Sequence, residues 1–212
     1  MRRRRNRIKM EISIELVKDL RQRTGAGIVD CKTALNEAKG DLDSAIEYLR
    51  RKGLATAAKK AGRIATEGLV SAYIHAGGKI GVLVEVNCET DFVAKTEDFQ
   101  AFVKNVAMQV AAANPQFIRR EEIPAPVLEK ERRIYRTQAL ESGKPEKVID
   151  RIVEGKMERY YTEVCLLEQT YIKDSDLTVK DVMDALISKI GENIAIRRFA
   201  RFQLGEGLES RS

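Results

Sequence analysis

The sequence predicts an α+β fold: a small helical bundle, a linker, then a small antiparallel three-stranded sheet packed with helices and interrupted by a helical hairpin. Three observations lead there. Apolar residues recur at helical spacing three times between Ser13 and Gly53. The period then switches to two across residues 69–75 and 80–88. Finally, two long charged helical stretches follow, separated only by Ser142-Gly143-Lys144-Pro145.

Each element has its own signal. Ile14, Val17 and Leu20 define a first helix with Ser13 as its N-cap, and Thr24-Gly25-Ala26-Gly27 breaks it. Ile28, Cys31, Leu35 and Ala38 define a second, ended by Gly40. A third starts at Asp41 or Asp43, turns Leu42, Ala45, Ile46 and Leu49 inward, and is expected to stop at Gly53. Residues 54–65, rich in Ala and Lys without a clean stripe, read as a linker with helical tendency. Ala76-Gly77-Gly78-Lys79 joins the two β-rich segments as a hairpin. Phe99, Phe102, Val103, Val106, Ala107 and Val110 form one apolar helical face, ended by Asn114-Pro115.

The charged helices span residues 126–140 and 146–164. The second carries a narrow stripe of Val148, Ile149, Ile152, Val153, Met157, Tyr160, Tyr161 and Val164. Their four-residue connection folds them back on each other as an arm projecting into solvent. Thr178 caps a last helix with Val179, Val182, Met183, Leu186 and Ile190 inward, and residues 194–204 add a final strand to the hairpin. The expected organisation is a tail (1–9), a helical module (10–53), a linker (54–65), a sheet-and-helix core (66–124 and 165–212) and the arm (125–164).

Charge narrows the function classes. The net charge is +6, and Arg2, Arg3, Arg4, Arg5, Arg7 and Lys9 carry six positive charges. Without them, 32 basic residues face 32 acidic ones, so the body lacks the basic excess that a nucleic-acid binder needs. The tail reads as a solvated, disordered extension, and Met10 as an alternative start. No apolar run reaches the roughly 20 residues of a membrane span. The basic start also lacks a secretory signal's apolar stretch, so the expected location is the cytoplasm.

Catalytic chemistry is poorly supplied. Cys31, Cys88 and Cys165 are far apart, and the single histidine, His75, makes no metal-ligand cluster with them. They read as reduced, apolar-packed side chains, with a Cys88–His75 nucleophile pair as the rival reading. Thr24-Gly25-Ala26-Gly27 follows a helix rather than a strand and lacks the Lys-Ser/Thr ending of a phosphate loop. Trp is absent and aromatic residues make up 6%, a weak basis for stacking single-stranded RNA. Neither a metal nor a cofactor is expected.

One run stands apart: Glu85-Val86-Asn87-Cys88-Glu89-Thr90-Asp91-Phe92-Val93-Ala94-Lys95. Strand alternation ends at Asn87-Cys88, and helical periodicity is secure only from Phe99. Asp91-Phe92 therefore lies at a strand-to-helix corner, where a ring and a carboxylate can probe a partner. The competing reading packs Phe92 into its own core and makes Asp91 a cap. Composition alone favours that second reading.

This run resembles the signature of the bacterial-type elongation factor Ts family, in its short form. So does Leu20-Arg21-Gln22-Arg23-Thr24-Gly25-Ala26-Gly27-Ile28-Val29-Asp30-Cys31-Lys32-Thr33-Ala34-Leu35, although the family more often has a larger polar residue at Thr33. Similarity continues through Glu129-Lys130-Glu131, Ser142-Gly143-Lys144-Pro145, Val153-Glu154-Gly155-Lys156, Gly191-Glu192-Asn193-Ile194 and Arg198-Phe199. The resemblance implies a guanine-nucleotide exchange factor for elongation factor Tu, without covalent chemistry of its own. It implies that Thr90, Asp91, Phe92 and Val93 displace magnesium from Tu, with Phe92 wedging between helices of the GTP-binding domain. Asp91 would disturb polar contacts there, and Thr90 and Val93 would hold the pair. It further implies a ubiquitin-associated-like (UBA-like) N-terminal module that grips the same domain, and a coiled-coil arm. With only one sheet-and-helix unit, the chain is expected to dimerise, a second copy supplying the missing unit.

Overall fold

The computed structural model describes residues 12–143 and 145–208. The expectations for the basic tail and for Lys144 lie outside the described residues. The chain divides into two compact units, residues up to 63 with 184–193, and residues 64–183 with those from 194 onward.

In the first unit, α1 (Ile14–Thr24), α2 (Ile28–Glu37) and α3 (Leu42–Lys60) form the three-helix bundle. Each start follows local chemistry. The Ser13 hydroxyl accepts the Leu16 N–H at 3.2 Å, and the Asp41 carboxylate accepts the Ser44 N–H at 2.8 Å. Val17, Leu20, Cys31, Ala34, Leu35 and Ala45 make a small core against which Leu16, Leu42, Ile46 and Leu49 pack. Ile14, Ile28 and Val29 remain on the surface.

The third helix corrects the sequence reading. It does not stop at Gly53 but runs on to Lys60, so most of the expected linker is helical. Gly53 is buried, and a Cβ there would sit 3.6 Å from the Ser188 Cβ. That is ordinary van der Waals contact, so Gly53 is a buried position within the helix and not a turn. Lys60 Nζ donates to the Gly191 carbonyl at 2.6 Å and Asn193 Nδ2 to the Arg63 carbonyl at 2.7 Å, fixing the end of α3.

The second unit holds the sheet. Strands β1 (Glu67–Ile74), β2 (Ile80–Cys88) and β5 (Ile194–Gln203) are antiparallel in the order β1-β2-β5. Gly77 and Gly78 both have positive φ, as the tight hairpin requires. Val82, Val84, Val86 and Cys88 point from β2 to one face, where α5 (Glu97–Ala113) covers them with Phe99, Phe102, Val103, Val106 and Val110. Val70, Ile74, Leu83 and Phe202 are exposed, on the opposite side of the pleat. A bulge opposite Glu85 and Val86 inserts Arg197, and both Arg197 and Arg198 approach Glu85, at 3.5 and 2.6 Å.

Helices α6 (Ala125–Glu141) and α7 (Glu146–Val164) form the arm. Ala139, Ile149, Val153, Met157 and Tyr161 fill its seam. Outside the seam Arg132 pairs with Glu154, and Arg136 with Asp150 at 2.6 Å. At its base the Arg120 guanidinium stacks on Tyr161 at 4.2 Å and bridges Glu158 and Glu168. Hydrogen bonds to these carboxylates push the Arg120 pKa well up, keeping the clamp charged. A two-stranded ribbon that the sequence reading lacked, β3 (Thr170–Tyr171) with β4 (Asp174–Thr178), precedes α8 (Val179–Ile190). Thr178 and Asp181 cap that helix reciprocally.

Gly68 controls how β1 meets the end of β2. Its φ is +143°, and a Cβ there would fall 2.1 Å from the Val86 carbonyl oxygen. Neither backbone can yield cheaply. Gly68→Ala should therefore lower stability by about 2–4 kcal/mol, read from the denaturation midpoint; an unchanged midpoint would show that the strands can part there without cost.

Candidate functional site

The last residue of β2, Cys88, and the first of α4 (Asp91–Ala94) are separated only by Glu89 and Thr90. A four-residue helix cannot persist alone, because nucleation fixes several dihedrals for one hydrogen bond. Here neighbours hold it. Thr90 is extended (φ −129°, ψ 154°), and its hydroxyl accepts the Val93 N–H at 3.4 Å. Beneath it the buried Cys88 thiol donates to the Thr90 carbonyl at 3.1 Å.

One turn of helix has room for two side chains inward and two outward. Val93 and Ala94 take the inward positions and are 8% and 5% exposed. Asp91 and Phe92 are left facing outward, and Phe92 is 78% exposed. The reading that packs this ring into the chain's own core does not hold. Nor is Asp91 the cap, since Thr90 has that place. All four predicted site residues are thus together on one turn, two as support and two as surface.

Lys95 is a residue the sequence reading left without a role. Its Nζ lies 2.6 Å from Asp91 Oδ2 and 5.9 Å from the centroid of the Phe92 ring. The hydrogen bond from Lys95 holds the Asp91 carboxyl below the usual carboxylate range. The signal was present in the i, i+4 spacing of Asp and Lys. Thr96 was also readable: a Thr followed by two acids marks a helix start, and its hydroxyl accepts the Phe99 N–H at 3.3 Å.

The rival thiol chemistry fails on placement. Cys88 pairs with Glu67 at one end of the hairpin, whereas His75 follows Ile74 at the other. Seven residues of strand, about 23 Å, lie between. His75 instead shares a 3.0 Å hydrogen bond with the Tyr73 hydroxyl. Burial pushes the Cys31 thiol up and the Cys165 thiol up to about 11, away from the thiolate that nucleophilic chemistry uses. Among the described residues no group of three His, Cys, Asp or Glu side chains could hold a metal ion, and no helix is long and apolar enough to cross a membrane.

A model of the family described as Elongation factor TS matches residues 51–206. The chain belongs to the elongation factor Ts family. The Elongation factor Ts of Caldanaerobacter subterraneus subsp. tengcongensis is 66% identical over 198 residues, covering 93% of this chain and 99% of that one. That of Carboxydothermus hydrogenoformans is 64% identical over 197 residues, 93% of this chain and 91% of its own. That of Geobacter sulfurreducens is 61% identical over 202 residues, 95% and 94%. Membership makes this chain an elongation factor of protein biosynthesis.

The Asp91–Lys95 pair has a defined pH signature. A lowered folded-state pKa means that the pair contributes fully above the ordinary carboxylate pKa and is lost as pH falls through the lower folded value. An NMR titration should place the Asp91 midpoint below about 3.9, and Lys95→Met should raise it towards that value. An Asp91 midpoint that ignores Lys95→Met would show that Lys95 does not set it.

Proposed function

We propose that the chain binds elongation factor Tu carrying GDP, loosens its magnesium and nucleotide, and so lets GTP refill the site. The single observation that supports this most is the Phe92 ring, exposed on a turn whose other side is packed and capped. Single exposed apolar residues are common on protein surfaces. What sets this one apart is its mount. Burying such a ring in a partner is worth about 1.5–3 kcal/mol, and little of that is lost to ordering when the turn is already fixed.

The reading works by linkage. If the chain binds nucleotide-free Tu better than Tu·GDP, it weakens GDP binding by the same factor. A coupling of about 1–3 kcal/mol gives roughly 5–150-fold, and efficient exchange needs the upper end or more. In this reading Phe92 wedges between helices of the GTP-binding domain. Asp91 exchanges Lys95 for polar groups near the magnesium, and Thr90 and Val93 keep the turn in place. Magnesium is the sensible lever because it bridges and neutralises the nucleotide phosphates. Binding energy does all of this without covalent chemistry. The three-helix module provides a second grip on the same domain.

The partner set includes a second copy. Val70, Ile74, Leu83 and Phe202 form an exposed apolar face of the sheet, the kind of patch that marks an interface. Across a two-fold axis such a patch meets itself, with Glu85 and Arg198 available at its border. Leu83→Glu with Phe202→Glu should halve the mass measured by light scattering. A wild-type chain that is monomeric at high concentration would reject this dimer.

Phe92→Ala should slow release of labelled GDP from Tu by about 10–100-fold while leaving the circular dichroism spectrum and melting point unchanged, as loss of a 2 kcal/mol hot spot predicts. Wild-type rates from the folded variant would overturn the exchange reading. Deleting residues 1–9 should leave exchange unaltered; collapse of activity would favour a role for the basic tail in RNA binding instead.

A further inference from the structure

The turn that carries Phe92 is bracketed by two side chains that do not belong to the Thr90-Asp91-Phe92-Val93 segment. On its far side, Thr96 Oγ1 donates to the Val93 carbonyl at 2.8 Å and accepts the Phe99 N–H at 3.3 Å. One hydroxyl thus joins the last turn of α4 to the first turn of α5. Phe99 is fully buried, so this hydroxyl links α4 to an immobile point of the core. The Thr96 N–H reaches the same Val93 carbonyl at 3.0 Å.

On its near side, Cys88 is fully buried at the end of β2 and donates its thiol hydrogen to the Thr90 carbonyl at 3.1 Å. That carbonyl also receives the Ala94 N–H, but at 3.4 Å, a long bond for a helix. The thiol therefore gives that carbonyl a second donor in a turn that is too short to hold itself. Gly68, whose φ only glycine adopts readily, lets β1 approach Val86 and Asn87 closely just before this point.

We infer that Thr96 and Cys88 are positioning residues for nucleotide exchange: they lock α4 from both ends so that Phe92 is presented in one orientation. This rests on the exchange reading, but it concerns residues whose polar groups are spent inside the chain. Without the bracket α4 opens, and Phe92 then meets its partner only in the fraction of molecules where the turn is formed. Affinity falls by that fraction.

The test uses the full chain and a GDP-release assay on Tu, with Phe92→Ala run alongside. Thr96→Ala should lower exchange efficiency roughly five- to tenfold, as loss of an N-cap predicts, through a higher half-saturating concentration and not a lower rate at saturation. Thr96→Ser should recover to within about threefold of wild type, since serine is an equal cap. Cys88→Ala should act in the same direction more weakly, and Cys88→Ser should stay near wild type because a hydroxyl can donate to the same carbonyl.

Hydrogen exchange separates positioning from general damage. In Thr96→Ala the amides of Val93, Ala94 and Lys95 should lose protection while those of β2 and β5 keep theirs. Uniform loss across the sheet, unchanged protection at Val93–Lys95, or Thr96→Ala exchanging at the wild-type rate while Phe92→Ala is slow would each overturn the inference. If Phe92→Ala is itself unimpaired, the exchange reading fails, whatever the bracket does to local protection.

Discussion

The structure around the site depends on how one turn of helix divides its four side chains. With Val93 and Ala94 drawn into the core between α5 and the sheet, the helical step of about 100° leaves Asp91 and Phe92 no inward direction. The exposed ring is a consequence of the buried pair. It needs no separate stabilisation of its own, only that the turn stays formed. Caps at Thr90 and Thr96 and the thiol of Cys88 meet that condition: the Thr90 hydroxyl takes the otherwise open Val93 N–H, and the thiol and the Thr96 hydroxyl add second donors to the Thr90 and Val93 carbonyls.

The rest of the second unit can be understood as support for that turn. Strand β2 is buried on one face by α5 and paired on both edges, so its end is a fixed point. The buried amides of Gln109 and Gln169 then tie α5 to the ribbon and to the end of α7. Gln109 Nε2 reaches Gln169 Oε1 at 3.2 Å, and Gln169 Nε2 reaches the Glu163 carbonyl at 2.8 Å. Such a satisfied polar network is specific about geometry in a way that apolar contact is not. With the Arg120 clamp, it fixes where the arm leaves the core.

Much of this was legible in the sequence because the long elements have strong periods. The apolar face of α5, the stripe of α7 and the alternation of β2 each survive over many residues. What was misread is short or decided by tertiary contact. Gly53 looks like a stop because glycine usually follows a helix, yet here it packs beside Ser188 within one. The β3–β4 ribbon spans too few residues, several of them charged, to show alternation. The direction of Phe92 could not come from composition, which favours a buried ring. It became expected only through resemblance to a family, and its physical reason, the prior burial of Val93 and Ala94, is a fact of packing. Lys95 and Thr96, by contrast, carried readable spacing signals.

In the proposed mechanism the Phe92 ring enters the GTP-binding domain of elongation factor Tu. A photo-crosslinking phenylalanine analogue at position 92, irradiated with Tu·GDP and mapped by mass spectrometry, addresses it directly. Crosslinks confined to helices of that domain, suppressed when magnesium and GDP are in large excess, are the predicted result. Crosslinks only to a second copy of this chain, or none to Tu under conditions where GDP release is fast, would contradict it.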